Sequence, residues 1–290
     1  MSNAAEVYER VTAEVIKAIE SDGVGNWTKP WVSRGGLPSN AKTGNAYSGG
    51  NILMLWIMAE INGYGSSKWA TFNQWKDLGA QVKKGEKSTA LVRWNVSKCK
   101  GTPKDHKCEK CGKLFPVGFA VFNSEQVTGW TPPAEPDGLD DAERLALAEA
   151  FFAAIGADVR HGGDRAFYAR VGDYIGMPTF AQFATAADYY STLAHEHTHW
   201  TGAEARLNRT FGKAFGDDAY SAEELVAELG AAFLCAMLGI SNTPREDHAQ
   251  YLSHWLKILR ADSRAIFEAA GKASKAIDLL VTMSGVALAA

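Results

Sequence analysis

The segment Thr192-Leu-Ala-His195-Glu196-His197-Thr198-His199-Trp200 carries two histidines four residues apart, with a glutamate directly after the first. On a helix, residues i and i+4 lie one above the other, so His195 and His199 can direct two imidazole nitrogens at one Zn2+. Glu196 then faces the same cleft and can serve as general base toward a water activated at the metal. The chemistry this implies is hydrolysis of a carbonyl bond such as a peptide. The metal polarises water and carbonyl, and Glu196 takes a proton and later delivers it to the leaving amine. His197 falls off that face and reads as a bystander. The alternative is a helix with surface histidines, and a third ligand from a neighbouring helix would decide against it.

A catalytic zinc takes three protein ligands and keeps one position for water. The run Glu223-Glu224-Leu-Val-Ala-Glu228 supplies a donor, and the small residues Gly230, Ala231 and Ala232 after it would let its helix pack closely against the first. Glu224 and Glu228 share a helix face. Glu224 is assigned as third ligand and Glu228 as the carboxylate that orients a ligand imidazole through its other N–H. The exchanged assignment, with Glu228 as ligand, stays open. A donor for the oxyanion is also required; Tyr189, Tyr190, Tyr220, His161 and His248 are available, and the sequence does not choose among them.

A second cluster, Cys99, His106, Cys108 and Cys111, lies within an insertion over residues 99–112. Cys-x-x-Cys followed by glycine is the turn of a zinc knuckle, and the four residues together would close a structural Zn2+ site. The alternative is a basic hairpin tip with reduced thiols, because His106 and Cys108 are only two apart. The fourth cysteine, Cys235, sits in an apolar helical run. Four cysteines in 290 residues suit metal binding better than a disulfide framework.

These residues need elements to position them. Helical spacing is expected over Ala4–Ile19, where Val7, Val11, Val15 and Ile19 recur, over the almost wholly apolar Asn51–Ile61, and briefly over Phe72–Leu78. Strands are expected at Ser88–Asn95 and Val117–Asn123. The second half should open with the alanine-rich helix Asp141–Ile155 and short strands at Ala157–Arg160, Ala166–Arg170 and Asp173–Met177. Helices over Phe180–Thr201, Ser221–Gly239, Arg245–Arg260 and Ala261–Val286 should follow. A small sheet followed by helices is an α+β pattern. The proline-rich stretch Thr131–Gly138 reads as a linker. The expected organisation is therefore residues 1–130, a linker over 131–140, and a second domain over 141–290.

Charge divides the chain at the same place. Up to Pro136 there are 17 Lys and Arg against 12 Asp and Glu, and beyond it 13 against 21. Between Lys29 and Lys113 the balance is 15 basic to 5 acidic residues, which suggests a polyanion for the first half, against the null of a solvated lysine-rich surface. Seven of the nine tryptophans, Trp27, Trp31, Trp56, Trp69, Trp75, Trp94 and Trp130, precede the linker among those basic residues. Aromatic faces stack bases while lysines follow phosphates, the arrangement of a single-strand binder. Trp31, Lys42, Tyr47, Trp75, Lys83, Lys84 and Lys87 are the candidate DNA contacts. No run of 18 apolar residues exists and the N-terminus reads as an amphipathic helix, so the expectation is a cytoplasmic protein with no membrane partner.

The second half resembles the zincin-like metallopeptidase domain of the ArdC antirestriction proteins. The likeness runs through Ala166-Phe-Tyr, Asp173-Tyr-Ile-Gly-Met-Pro178, Tyr190 to Gly202 across the two histidines, Arg206-Leu-Asn-Arg209, and Tyr220 to Phe233. The first half is similar to that family's N-terminal domain through Trp69-Ala-Thr-Phe-Asn-Gln74, Val82-Lys-Lys-Gly-Glu-Lys87 and Phe119 to Gln126, and also resembles a module of TraC-type plasmid primases. The cysteine cluster departs from the family pattern. The resemblance implies a plasmid-borne protein whose N-terminal domain binds single-stranded DNA and whose C-terminal domain carries a gluzincin-type site. It also implies help for incoming DNA against restriction in a new host. Any protein substrate would belong to the host restriction machinery. The runner-up readings are protection by DNA occupancy with a structural or vestigial metal site, and a cytosolic peptidase indifferent to nucleic acid.

Overall fold

The computed structural model describes residues 4–21, 36–96, 114–132, 141–211, 218–240 and 248–286. It is an α+β protein of two family-sized halves. The first half opens with α1 (Ala4–Ser21), β1 (Ser39–Asn40) and α2 (Gly50–Asn62), followed by β2 (Lys68–Ala70), α3 (Phe72–Asp77) and β3 (Gln81–Val82). It closes with β4 (Thr89–Val96), β5 (Leu114–Asn123) and β6 (Val127–Thr128). Strands order as β1-β2-β5-β4 in a four-stranded sheet, with β3 and β6 pairing separately. The antiparallel pair β4–β5 sets Thr89 opposite Val121 and Val96 opposite Leu114. The expected strands are present, and the very short β1, β2, β3 and β6 are additions.

The second half contains α4 (Asp141–Ile155), β7 (Asp158–His161), β8 (Phe167–Ala169) and β9 (Tyr174–Met177), then α5 (Ala186–Trp200), α6 (Asp218–Leu238), α7 (His248–Ala261) and α8 (Ala265–Ser284). Its sheet runs β7-β9-β8, parallel between β7 and β9 and antiparallel between β9 and β8. One expected helix is split. Phe180–Gln182 forms a single 3-10 turn, and α5 starts only at Ala186, because Thr185 and Asp188 cap each other's backbone N–H in a reciprocal box. Among the described residues no helix is long and apolar enough to cross a membrane.

The main hydrophobic core runs through both halves, beside a small separate cluster of Ala70, Trp75, Ala80 and Val127 in the first. Nearly every side of α2 is buried, from Ile52 to Ala59, and the helix packs against α8. Trp56 of α2 meets Phe233 of α6 with ring centroids 5.7 Å apart, and Tyr8 of α1 meets Phe267 of α8 at 4.6 Å. Gly50 is required here: a Cβ on it would come within 2.2 Å of the Phe267 ring. The Gly49 N–H donates to Ser274 Oγ at 2.8 Å and Thr12 Oγ1 to the Ser263 carbonyl at 2.7 Å. The expected linker over 131–140 thus lies between halves that pack together; its residues 133–140 lie outside the described residues.

Candidate metal centre

The metal pattern lies on α5, whose C-terminal half is wholly enclosed. From Leu193 to Trp200 every residue is buried, including His195, Glu196, His197, Thr198 and His199. Helix α6 packs directly along it. Gly230 makes this possible, because a Cβ there would approach the Thr198 side chain to 2.5 Å. Close packing brings the acids of the first turns of α6 to the imidazoles of α5.

The two Nε2 atoms of His195 and His199 face each other at 3.1 Å. Two ligands each about 2.0–2.1 Å from a tetrahedral zinc would sit roughly 3.3 Å apart, so the spacing fits. Glu224 completes the group: its Oε2 lies 3.5 Å from His195 Nε2 and its Oε1 lies 3.5 Å from His199 Nε2. One donor atom from each of the three residues falls within 4.8 Å of the others. The opposite nitrogens are held from behind. Glu228 Oε1 is 3.3 Å from His195 Nδ1, and Glu223 Oε1 is 3.4 Å from His199 Nδ1. Glu223 accepts the Nδ1–H of His199, Glu228 stands at ion-pair distance from His195 Nδ1, and both Nε2 atoms face Glu224.

Charge supports the same fit. Glu196, Glu223, Glu224 and Glu228 are all buried, and Arg209 pairs with Glu223 at 2.7 Å. A divalent ion is a natural counter-charge for a site so rich in buried carboxylates. Burial disfavours charge on His199, yet Glu223, Glu224 and Glu196 outweigh it and hold its pKa up at about 10. Burial likewise opposes ionisation of Glu224, and the imidazoles of His195 and His199 overcome that and push its pKa down. The acids that would attract a proton would attract a metal in the same place. His197 is different: burial takes its pKa down to about 4, and its Nδ1 donates to the Leu193 carbonyl at 2.8 Å while its ring packs on Phe152.

Of the residues expected at the site, His195, His199 and Glu224 converge, Glu228 backs His195, and Glu196 is buried on the same helix close enough to influence the charge of His199. The sequence reading missed Glu223 and Arg209. Glu223 was visible only as the neighbour of a ligand, and Arg209 lies in a loop whose path no spacing rule gives. Of the residues considered for the oxyanion, Tyr190 donates to the Glu149 carboxylate and Tyr189 shares a 2.9 Å hydrogen bond with His161 Nε2. Tyr220 is half-buried on α6, and the side chain of His248 lies outside the described residues.

The DNA candidates scatter. Trp75 is corrected: it is fully buried against Ala70, Ala80 and Val127, with its Nε1–H donated to the Phe122 carbonyl at 3.1 Å, and no ring face is left for a base. Tyr47 is half-buried, its hydroxyl donating to the Trp69 carbonyl at 3.3 Å. Lys42 is on the surface in an ion pair with Asp77 at 2.6 Å. Lys83, Lys84 and Lys87 share one exposed turn between β3 and β4, Lys83 donating to the Glu125 carbonyl at 2.7 Å. Trp31 and the cluster Cys99, His106, Cys108 and Cys111 lie outside the described residues.

Residues 146–272 match the zincin-like metallopeptidase family, and residues 5–122 match the N-terminal domain of anti-restriction factor ArdC. The chain is 43% identical over 280 residues to the protein y4eC of Sinorhizobium fredii, covering 94% of this chain and 91% of that one. It is 36% identical over 296 residues to a DNA primase TraC of Escherichia coli, spanning 94% of this chain and 27% of the primase. Crystal structures of the antirestriction ArdC protein from the R388 plasmid match at a TM-score of 0.76 without metal and 0.77 with Mn(II), at 39% and 40% identity. Each covers 96% of this chain and 97% of the ArdC chain. Backbone and sequence agree from one end of the fold to the other, and the chain belongs to the ArdC antirestriction family.

Proposed function

We propose that this protein is a metal-dependent hydrolase of the ArdC type that binds single-stranded DNA through its first half and protects incoming plasmid DNA from restriction. The observation that carries the hydrolase reading is the turning of both Nε2 atoms toward Glu224 while Glu228 and Glu223 hold both Nδ1 atoms. His195, His199 and Glu224 would hold the metal. The nitrogen-rich donor set suits Zn2+, and Mn2+ is the ion in a related ArdC structure. When bound, such an ion supplies Lewis acidity toward a carbonyl and makes water a nucleophile near neutral pH. Glu196 is the residue that would accept a proton from water and return it to the leaving amine. The cytoplasm is the expected site of action, and a component of the host restriction machinery is the expected substrate.

A second reading has its own support. Glu196 and His195 are each only 3% exposed, which suits an ion that braces the α5–α6 pair while the first half shields DNA by occupancy. Glu196→Ala separates the two, because it leaves the ligands intact. The expected outcome is native metal content and DNA affinity, together with loss of protection when unmodified DNA is transferred into a restricting host. Protection that persists in Glu196→Ala, and disappears only when DNA binding is lost, would establish occupancy instead. In the same experiment His195→Ala and His199→Ala should lose the metal. Glu224→Ala should weaken it more than Glu228→Ala, whose loss should be about 10- to 100-fold.

A further inference from the structure

The chain that leaves α5 folds straight back onto it. The N–H of Thr201 bonds the His197 carbonyl, that of Leu207 bonds the Thr201 carbonyl at 3.0 Å, and that of Arg209 bonds the Gly202 carbonyl at 2.9 Å. Asn208 takes a left-handed φ of 46° at the reversal, a conformation asparagine adopts more readily than most residues. Arg209 is thereby returned to the end of the helix that carries the histidines.

Its guanidinium is engaged there through all three nitrogens. Nη2 donates to the Thr198 carbonyl at 2.6 Å and to Glu223 Oε1 at 2.7 Å; Nε donates to Glu223 Oε2 at 3.0 Å; Nη1 donates to Thr201 Oγ1 at 2.8 Å. The fork thus grips both oxygens of Glu223 and one of the last four carbonyls of α5, which no further turn of the helix would satisfy. The ion pair is buried on both sides, with side chains 6% and 5% exposed. Gly202 clears its path, since a Cβ there would meet Arg209 Nη2 at 2.9 Å and the Phe211 ring at 2.6 Å.

We propose that Arg209 is a positioning residue of the metal centre, fixing Glu223 in the orientation that holds His199 by Nδ1 and leaves its Nε2 turned toward His195 and Glu224. This rests on the metal-binding reading above. Without the guanidinium, Glu223 loses the fork that grips both of its oxygens and keeps only its contact with His199. Its rotation would release the His199 ring to present either nitrogen. A lysine would supply the charge but not two parallel N–H bonds and a third to the helix end.

The test uses the full chain, stripped of metal, with Zn2+ and Mn2+ affinities measured against a chromophoric chelator beside the melting temperature of the metal-free protein. Arg209→Gln and Glu223→Gln are each expected to weaken both metals by about 10- to 100-fold while the protein stays folded. The double variant should bind no worse than the weaker single one, because both substitutions break the same relay. Gly202→Ala, which crowds the guanidinium without removing its charge, should shift affinity in the same direction and serves if Arg209→Gln does not fold. Native affinity in these variants, even with a lowered melting temperature, would reduce Arg209 to a loop fastener and overturn the proposal, as would losses that simply add in the double variant. If the unaltered chain takes up neither ion, the metal reading itself fails and the role of Arg209 falls with it.

Discussion

Trp75 and His199 were both singled out from residue type and neighbourhood, and their fates differ for a physical reason. The spacing of His195 and His199 is itself geometric, because on a helix a separation of four decides which face a side chain occupies. A tryptophan amid lysines carries no such constraint: its large apolar surface is as well satisfied in a core as on a base. Trp75 took the core, with Trp130 edge-on at 5.1 Å. Trp75→Ala is therefore expected to cost about 3–5 kcal/mol of stability. The check is chemical denaturation beside DNA titration under conditions where the variant remains folded: affinity for single strands should stay near native there. A selective tenfold loss of affinity without loss of stability would return Trp75 to the nucleic-acid surface.

Helices α5 and α6 show how two elements make one centre. Their approach is set by Gly230 against Thr198, and the acids of α6 reach the histidines of α5 only at that distance. Gly230→Ala gains in helix propensity, yet a contact of 2.5 Å forces the helices apart, and overpacking of this kind costs about 1–3 kcal/mol. The variant should melt at a lower temperature and bind metal more weakly. Adding Thr198→Ala, which removes the crowding atoms, should restore part of both; a Gly230→Ala protein with unchanged metal affinity would show that the helices do not need this approach. The longer elements were legible: α4 is found over the residues its alanine-rich pattern marked, and α2, α6 and α8 begin and end within a few residues of expectation. The start of α5 was missed, although Thr185-Ala-Ala-Asp188 is a capping signature, because the apolar run after Pro178 masked it. Strands such as β1 and β3, two residues long, are too short to show a period and exist only because β2 and β6 pair with them.

At the scale of the molecule, the proline-rich stretch and the change of charge suggested two units, and the structure joins them through a large shared core. The Glu20–Arg260 ion pair, the packing of α1 on α7 and the burial of α2 against α8 all cross between halves. Residues 1–132 expressed alone should accordingly bind a hydrophobic dye and melt well below the whole chain, and co-expression with residues 141–290 should remove the dye signal. A fragment as stable as the intact protein would show that the shared core contributes little. Added metal should raise one common transition, by about 2.7 kcal/mol at a hundred times its dissociation constant, rather than that of the second half alone. The common core also constrains inheritance. A block whose interior is built from both ends cannot be traded half by half between genes, since either half alone would arrive with an uncovered face. The likeness to TraC covers 94% of this chain within 27% of the primase, as expected if recombination moves the block whole.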